Sequence, residues 1–77
     1  MSRSIPICEA LAADPARYMF QANLEWLKKA TDYPEQHLQV NRLQGHLVGL
    51  FEAGAITFQT FEAAYAESHA FVWGPPS

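Results

Sequence analysis

The chain has 77 residues, a net charge of −3 and a single cysteine, and 49% of its residues are hydrophobic. This length predicts one domain, and the apolar content is too high for a disordered chain. The lone cysteine excludes an internal disulfide, the acidic balance argues against a nucleic-acid-binding face, and the apolar runs are too short for a signal peptide or a membrane span, so we expect a cytoplasmic protein.

Capping residues predict where the first two helices begin. Ser4 lies two residues before a proline, which suits a short helix over residues 4–13. Asp14 directly precedes a second proline and predicts a helix over residues 15–31. Apolar residues in this second segment recur every three or four positions, as they do on one face of a helix.

The third helix is predicted over residues 33–53. Asp32 can cap it, and Glu35 follows the cap by three residues, as in a capping box. Gly45 and Gly49 interrupt the segment, and each costs up to about 1 kcal/mol relative to alanine in a helix. They indicate either that another backbone passes close by or that this face is exposed and tolerates them.

A tight turn separates the third helix from the fourth. Gly54 can adopt the left-handed conformation that ends a helix, and Thr57 can cap a final helix over residues 57–70. Ile56 precedes this cap and Phe61 follows it by four residues, which is the spacing of a hydrophobic staple.

Together these segments predict an all-α fold in which residues 1–77 form a single small helical domain. We expect a bundle of three main helices plus a short N-terminal helix, with the last two forming an antiparallel hairpin and residues 71–77 forming a tail. The predicted core consists of Phe20, Leu24, Leu27, Leu43, Leu47, Leu50, Ile56, Phe61 and Tyr65.

Residues 43–69 resemble the short C-terminal helical hairpins of the SHOCT family. The residues that carry the resemblance are Leu47, Leu50, Ala53, Gly54, Ile56, Thr57, Phe61, Glu62 and Ala63. The chain departs from the family at residues 58–60, where Phe-Gln-Thr replaces the usual acids, and in the long helical segment before the hairpin. Because the family is regarded as an interaction or oligomerisation element, the resemblance implies a role in contact and brings no catalytic residue.

The ionisable residues do not form the patterns that catalysis or metal binding requires. His37 and His46 are nine positions apart and do not share a helix face, and His69 lies on another helix. Cys8 has no adjacent base; Glu9 should raise its pKa, whereas a helix N-terminus would lower it. We therefore predict that the protein is not an enzyme and uses no metal, no cofactor and no small-molecule substrate.

More aromatic surface is present than one small core can hide, and aromatic residues and methionine are enriched at interfaces. The sequence therefore predicts a non-catalytic protein–protein interaction module, either homodimeric or docked on a larger complex through an apolar patch. The predicted partner-binding residues are Tyr18, Met19, Trp26, Tyr33, Phe71 and Trp73.

Two other functions remain open from the sequence. The first is a small acidic inhibitor encoded by a phage, a plasmid or another mobile element, of the anti-CRISPR or anti-regulator kind, that occludes a nucleic-acid-binding or partner site. The second is a helix-turn-helix DNA-binding regulator. The final helix argues against the second function, because it carries glutamates and neither lysine nor arginine.

Overall fold

The structure is a computed structural model and describes residues 5–74. In this part of the chain the protein is an all-α bundle of four α-helices, which confirms the predicted fold class. The elements in chain order are α1 (Pro6–Ala12), a 3-10 turn (Pro15–Arg17), α2 (Tyr18–Lys29), α3 (Tyr33–Glu52) and α4 (Phe58–Trp73).

The N-terminus of α1 is capped from the other end of the chain. The predicted cap, Ser4, lies outside the described residues, and Ile5 occupies the N-cap position without a side-chain hydrogen bond. Instead, the carboxylate of Glu67 in α4 accepts hydrogen bonds from the backbone N–H groups of Ile7 at 3.0 Å and Cys8 at 2.9 Å. These bonds satisfy helix donors that would otherwise lack an acceptor.

Two aspartates cap helices as predicted. Asp14 accepts a hydrogen bond from the backbone N–H of Ala16 at 2.9 Å, although the first turn that it caps is a 3-10 turn. Asp32 accepts one from the backbone N–H of Glu35 at 2.9 Å. Helix α2 ends at Lys29, two residues earlier than predicted, because the backbone of the next residue is already extended.

Glycine ends α3 by the predicted mechanism. Gly54 has a φ of 76°, in the left-handed region, and its N–H donates to the carbonyl of Phe51 at 3.0 Å. The N–H of Ala55 donates to the carbonyl of Leu50 at 2.9 Å. This pair of bonds defines a Schellman motif, and Thr57 then caps α4 with its hydroxyl.

Helices α3 and α4 form the predicted antiparallel hairpin. Tyr33 at the start of α3 meets Trp73 at the end of α4, whereas Phe51 near the end of α3 contacts Phe58 at the start of α4. The packing therefore runs in opposite chain directions over the length of both helices.

Helix α4 is longer than predicted. It continues through residues 71–73, which were expected to begin a tail, and ends at Trp73; the next residue, Gly74, is the C-cap and has a φ of 84°. Phe71 is buried at 8% exposure, so core packing holds the last turn in helical form. Residues 75–77 of the predicted tail lie outside the described part of the chain.

The buried face of α4 also differs from the prediction. Tyr65 was expected in the core, but it is 39% exposed, while Ala64 and Ser68 are fully buried. The Cys8 thiol lies 3.6 Å from the carbonyl oxygen of Ala64, and Gln44 Nε2 donates to Ser68 Oγ at 3.2 Å. Because α1 and α3 both pack closely here, the small side chains face inward and the tyrosine is displaced outward.

The remaining predicted core positions divide into buried residues and edge residues. Leu50, Ile56 and Phe61 are half-buried and pack against the edge of the core. The positions that are confirmed as buried are Phe20, Leu24, Leu27, Leu43 and Leu47.

Helix α1 is the largest part of the core that the prediction missed. It and the residue before it contribute Ile5, Cys8, Leu11 and Ala12 to a single cluster that includes residues from all four helices. Within residues 5–74, no helix combines the length and the apolar character needed to cross a membrane.

Candidate interaction groove

The six predicted partner-binding residues separate into three groups. Tyr18, Met19 and Trp26 lie together along one groove, and Tyr33 pairs with Trp73 elsewhere on the surface. The sixth, Phe71, belongs to the core and is unavailable to a partner, because α4 continues past it as a helix.

The groove runs between α2 and α3 and has a volume of about 680 Å³. Three large side chains of α2 stand in it and remain exposed: Tyr18 by 69%, Met19 by 49% and Trp26 by 48%. The residues that line this α2–α3 groove include Arg17, Tyr18, Met19, Trp26, Arg42, Gly45 and Gly49.

Two glycines of α3 form part of the groove surface. A Cβ added to Gly45 or to Gly49 would meet no atom within 4 Å outside the helix's own backbone. Of the two alternatives that the sequence left open, the described residues therefore fit the exposed face and not the close approach of another backbone of this molecule. Their backbone is bare and faces the open groove.

The charge on the groove has the opposite sign to that of the protein as a whole. Arg17 and Arg42 line it, and no aspartate or glutamate is among its lining residues, although the chain carries a net charge of −3. Within residues 5–74, neither arginine forms an ion pair; the two ion pairs found there both involve Lys28. Arg17 uses one N–H to donate to the carbonyl of Leu11 at 3.2 Å.

A buried polar contact holds the two walls together. Asn23 of α2 donates from Nδ2 to the backbone carbonyl and to the side-chain oxygen of Gln39 in α3, both at 3.3 Å. Gln39 in turn donates to Glu35 at 2.9 Å. A buried amide without a hydrogen-bond partner destabilises the folded state. This contact therefore fixes the spacing of α2 and α3 beside the groove.

Sequence reasoning found the aromatic wall of the groove but missed its α3 side. Arg42, Gly45 and Gly49 follow each other at steps of three and four, which is the spacing of one helix face. Two glycines and a cation on one face of a helix indicate an exposed side, so this spacing could have identified the α3 side of the groove. The alignment of this α3 face with the exposed side chains of α2 could not be inferred without the packing of the two helices.

A second cluster of rings surrounds Trp73. Its Nε1–H donates to the hydroxyl of Tyr33 at 2.9 Å, and its ring lies 4.6 Å from that of His69 and 5.6 Å from that of His37 between centroids. Tyr33 and Trp73 therefore have partners within the molecule and tie the end of α4 to the start of α3.

A third group of rings lies at the hairpin end of α3 and α4. Phe51 stacks on Phe61 with centroids 5.2 Å apart, and Phe58 and Tyr65 extend this cluster along α4. The adjoining concavity is smaller, at about 460 Å³, and Glu62 is the charged residue that lines it. Its exposed rings contact one another, unlike the separate side chains of the α2–α3 groove.

The one cysteine is not an activated nucleophile. Burial is the main cause that raises the pKa of the Cys8 thiol to about 12, and the carboxylates of Glu67 and Glu9 contribute to the same shift. Glu9 raises the Cys8 pKa, as expected from the sequence, and the net shift is upward. Residues 5–74 contain no group of three or more His, Cys, Asp and Glu side chains placed to hold a metal ion.

Comparisons with known proteins give no relative from which function could be transferred. No protein-family model matches the chain, and neither the curated proteins nor the solved structures yield a match.

Proposed function

We propose that the protein is a non-catalytic protein–protein interaction module whose α2–α3 groove receives a segment of another protein. The observation that supports this function is the exposure of Tyr18, Met19 and Trp26 along one concave surface. Tyrosine, tryptophan and methionine are enriched in the buried centres of interfaces, and burying them there is energetically favourable.

Charge favours a different protein over a second copy in this groove. If two copies paired groove to groove, the arginines at positions 17 and 42 of each copy would be brought near those of the other. Like charges in a partly desolvated contact are destabilising. A symmetric homodimer through this surface is therefore the less favoured form of the same function.

Two sequence features support the same proposal. The resemblance of residues 43–69 to SHOCT hairpins implies a role in contact, because that family is regarded as an interaction element. The single cysteine is typical of a chain in a reducing compartment, so we also propose that the protein acts in the cytoplasm.

Site-specific photocrosslinking tests the proposal. A benzophenone amino acid is placed at position 26, inside the groove, or at Gln21, an exposed position on another side of α2. We expect adducts with another protein at position 26 and far fewer at position 21 when both variants are irradiated in the native host.

Two results would contradict this function. Equal adduct yields at both positions would mean that the groove is not the contact surface, and no adduct at either would mean that it has no protein partner. An adduct with twice the 8.6 kDa mass of the chain would identify a second copy in place of a different protein.

A further inference from the structure

Resting on the function proposed above, we propose that the occupant of the α2–α3 groove is an amphipathic α-helix with carboxylates beside its apolar face. The class of partner follows from three features of the groove: its unpaired cations, its bare backbone floor and the length of its walls. Each feature restricts the occupant in a different way.

The cations select a partner of negative charge. Arg17 and Arg42 have no carboxylate partner among residues 5–74, and no acid lines the groove between them. A guanidinium that loses water on binding needs an acceptor, and a carboxylate satisfies it with two parallel hydrogen bonds. An incoming segment that carries aspartate or glutamate at its edges supplies those acceptors.

The two glycines on the α3 side of the groove favour a helix that approaches closely. Gly45 and Gly49 lie one helical turn apart, and nothing within 4 Å of an added Cβ explains why either is glycine. Small residues at this spacing let the axis of a second helix come near, because no side chain separates the two backbones. The glycines alone do not identify the partner. The arginines indicate that it is negatively charged, and the glycines then favour a helix over a thinner extended segment.

The walls set the number of anchors. From Arg42 to Leu50 the α3 wall advances about 12 Å, at roughly 1.5 Å per residue, which is about two turns of a bound helix. Two apolar side chains seven residues apart, about 10.5 Å along a helix, fit this length and match the seven-residue separation of their contacts, Met19 and Trp26, on α2. The unbranched methionine adapts to different anchor shapes.

Selection from a displayed peptide library tests this inference without knowledge of the natural partner. The probe is a library of 16-residue peptides on a helix-forming framework, randomised on one face and mixed with an equally diverse library in extended, proline-containing frameworks. Immobilised protein is the target. We expect enrichment of helical clones with two apolar anchors and a net negative charge.

Matched variants of the target assign the binding to the groove. Arg42→Glu should weaken the enriched clones at least tenfold, whereas Lys29→Glu, the same charge change outside the groove, should alter their affinity by less than twofold. The double variant with alanine at Gly45 and Gly49 should also weaken them at least tenfold while its melting temperature stays the same or rises. A purely structural role for these glycines would move affinity and stability together.

Several outcomes would overturn the inference. In the selection, these are enrichment of extended, neutral or basic clones, or no enrichment at all. In the variants, these are equal effects of the two charge changes, or an affinity for helical clones that the glycine replacements leave unchanged. If the inference fails while photocrosslinks still form at position 26, the groove binds a protein of another kind and the proposed function stands. If the photocrosslinks fail as well, both are wrong.

Discussion

Glu67 connects α4 to α1. Its two carboxylate oxygens accept hydrogen bonds from consecutive backbone N–H groups, those of Ile7 and Cys8. Helix α1 has only seven residues and no side-chain cap of its own, so it depends on this contact and on its buried face. Short helices are marginal in isolation and take their stability from packing.

Replacing Glu67 by glutamine should therefore destabilise the protein. The amide keeps one acceptor oxygen but loses the other and the negative charge, and one N–H of α1 is left without its partner. We expect a loss of about 1–3 kcal/mol in the free energy of unfolding, measured by urea denaturation. Glu62→Gln, on the exposed side of the same helix, serves as the control and should change it by less than about 0.5 kcal/mol. Equal losses in both variants would contradict the capping role.

The raised pKa of Cys8 makes stability fall at alkaline pH. The folded state holds the thiol neutral up to about pH 12, whereas the unfolded chain releases the proton near its ordinary value of 9.0. The contribution of the neutral Cys8 thiol to stability is therefore complete below about pH 9. It is lost as the pH rises towards the pKa of the thiol in the folded state. The slope approaches about 1.4 kcal/mol per pH unit between the two values.

Urea denaturation between pH 8 and 10.5 measures this slope, with Cys8→Ala as the comparison. The alanine variant is less stable at pH 8 because it leaves a small cavity, but its stability should decline less steeply with pH. Parallel slopes for the two proteins would show that other groups, and not this thiol, govern the alkaline limit.

At the scale of the elements, glycines serve two opposite purposes in α3 and its turn. Gly54 has a left-handed backbone that a Cβ disfavours, whereas Gly45 and Gly49 lie in regular helix with open space where a Cβ would be. Alanine at position 45 or 49 should stabilise the protein by about 0.5–1 kcal/mol at each site. Alanine at position 54 should destabilise it by about 1–2 kcal/mol.

Thermal and urea unfolding of the three single alanine variants measures these changes. The sign of the effect is the decisive result, since it must differ between the turn glycine and the two groove glycines. A loss of stability at position 45 or 49 would mean that the helix needs these glycines for its own packing.

Capping residues made the positions of the helices predictable from the sequence. The face that each helix turns towards the core was harder to predict. Asp14, Asp32, Gly54 and Thr57 each act where their local patterns indicated, because caps and turns depend on a few neighbouring residues. The inward face of α4 depends on which helices press against it. The large Tyr65 was therefore misplaced.

The same limit applied to the candidate site. Tyr18, Met19 and Trp26 were identified as surplus apolar residues, which composition reveals. Their alignment with Arg42 across a groove depends on the contact between α2 and α3, and a single sequence does not encode that contact in any short pattern. Phe71 was predicted as a partner-binding residue because the aromatic side chains exceed what one small core can hide, and a single sequence does not show which of them is buried.

In the molecule as a whole, α1, α2, α3 and α4 all contribute residues to one core cluster. We therefore expect the helices to unfold together. Circular dichroism reports all helices, while tryptophan fluorescence reports Trp26 in α2 and Trp73 at the end of α4. We expect both signals to give the same urea midpoint, as two-state unfolding requires. An earlier fluorescence transition would show that part of the bundle opens separately.

Leu27→Ala provides a matched perturbation of this core. Leu27 is completely buried, and its truncation should lower the free energy of unfolding by about 2–5 kcal/mol while the two signals stay coincident. A domain of this size has a total stability of roughly 4–12 kcal/mol, so the variant should lie close to the limit of folding.

The bond between Glu67 and α1 also determines when the protein can be completed during synthesis. Its partners are 59 and 60 positions apart in the chain, so α1 emerges from the ribosome several seconds before its cap exists, at roughly 5–20 residues per second. Helices α2 and α3 can pair in that interval, because they are neighbours in sequence. Helix α1 packs against both α2 and α4, so until α4 arrives only its α2-facing side can be covered, and its α4-facing apolar side stays exposed in the nascent chain.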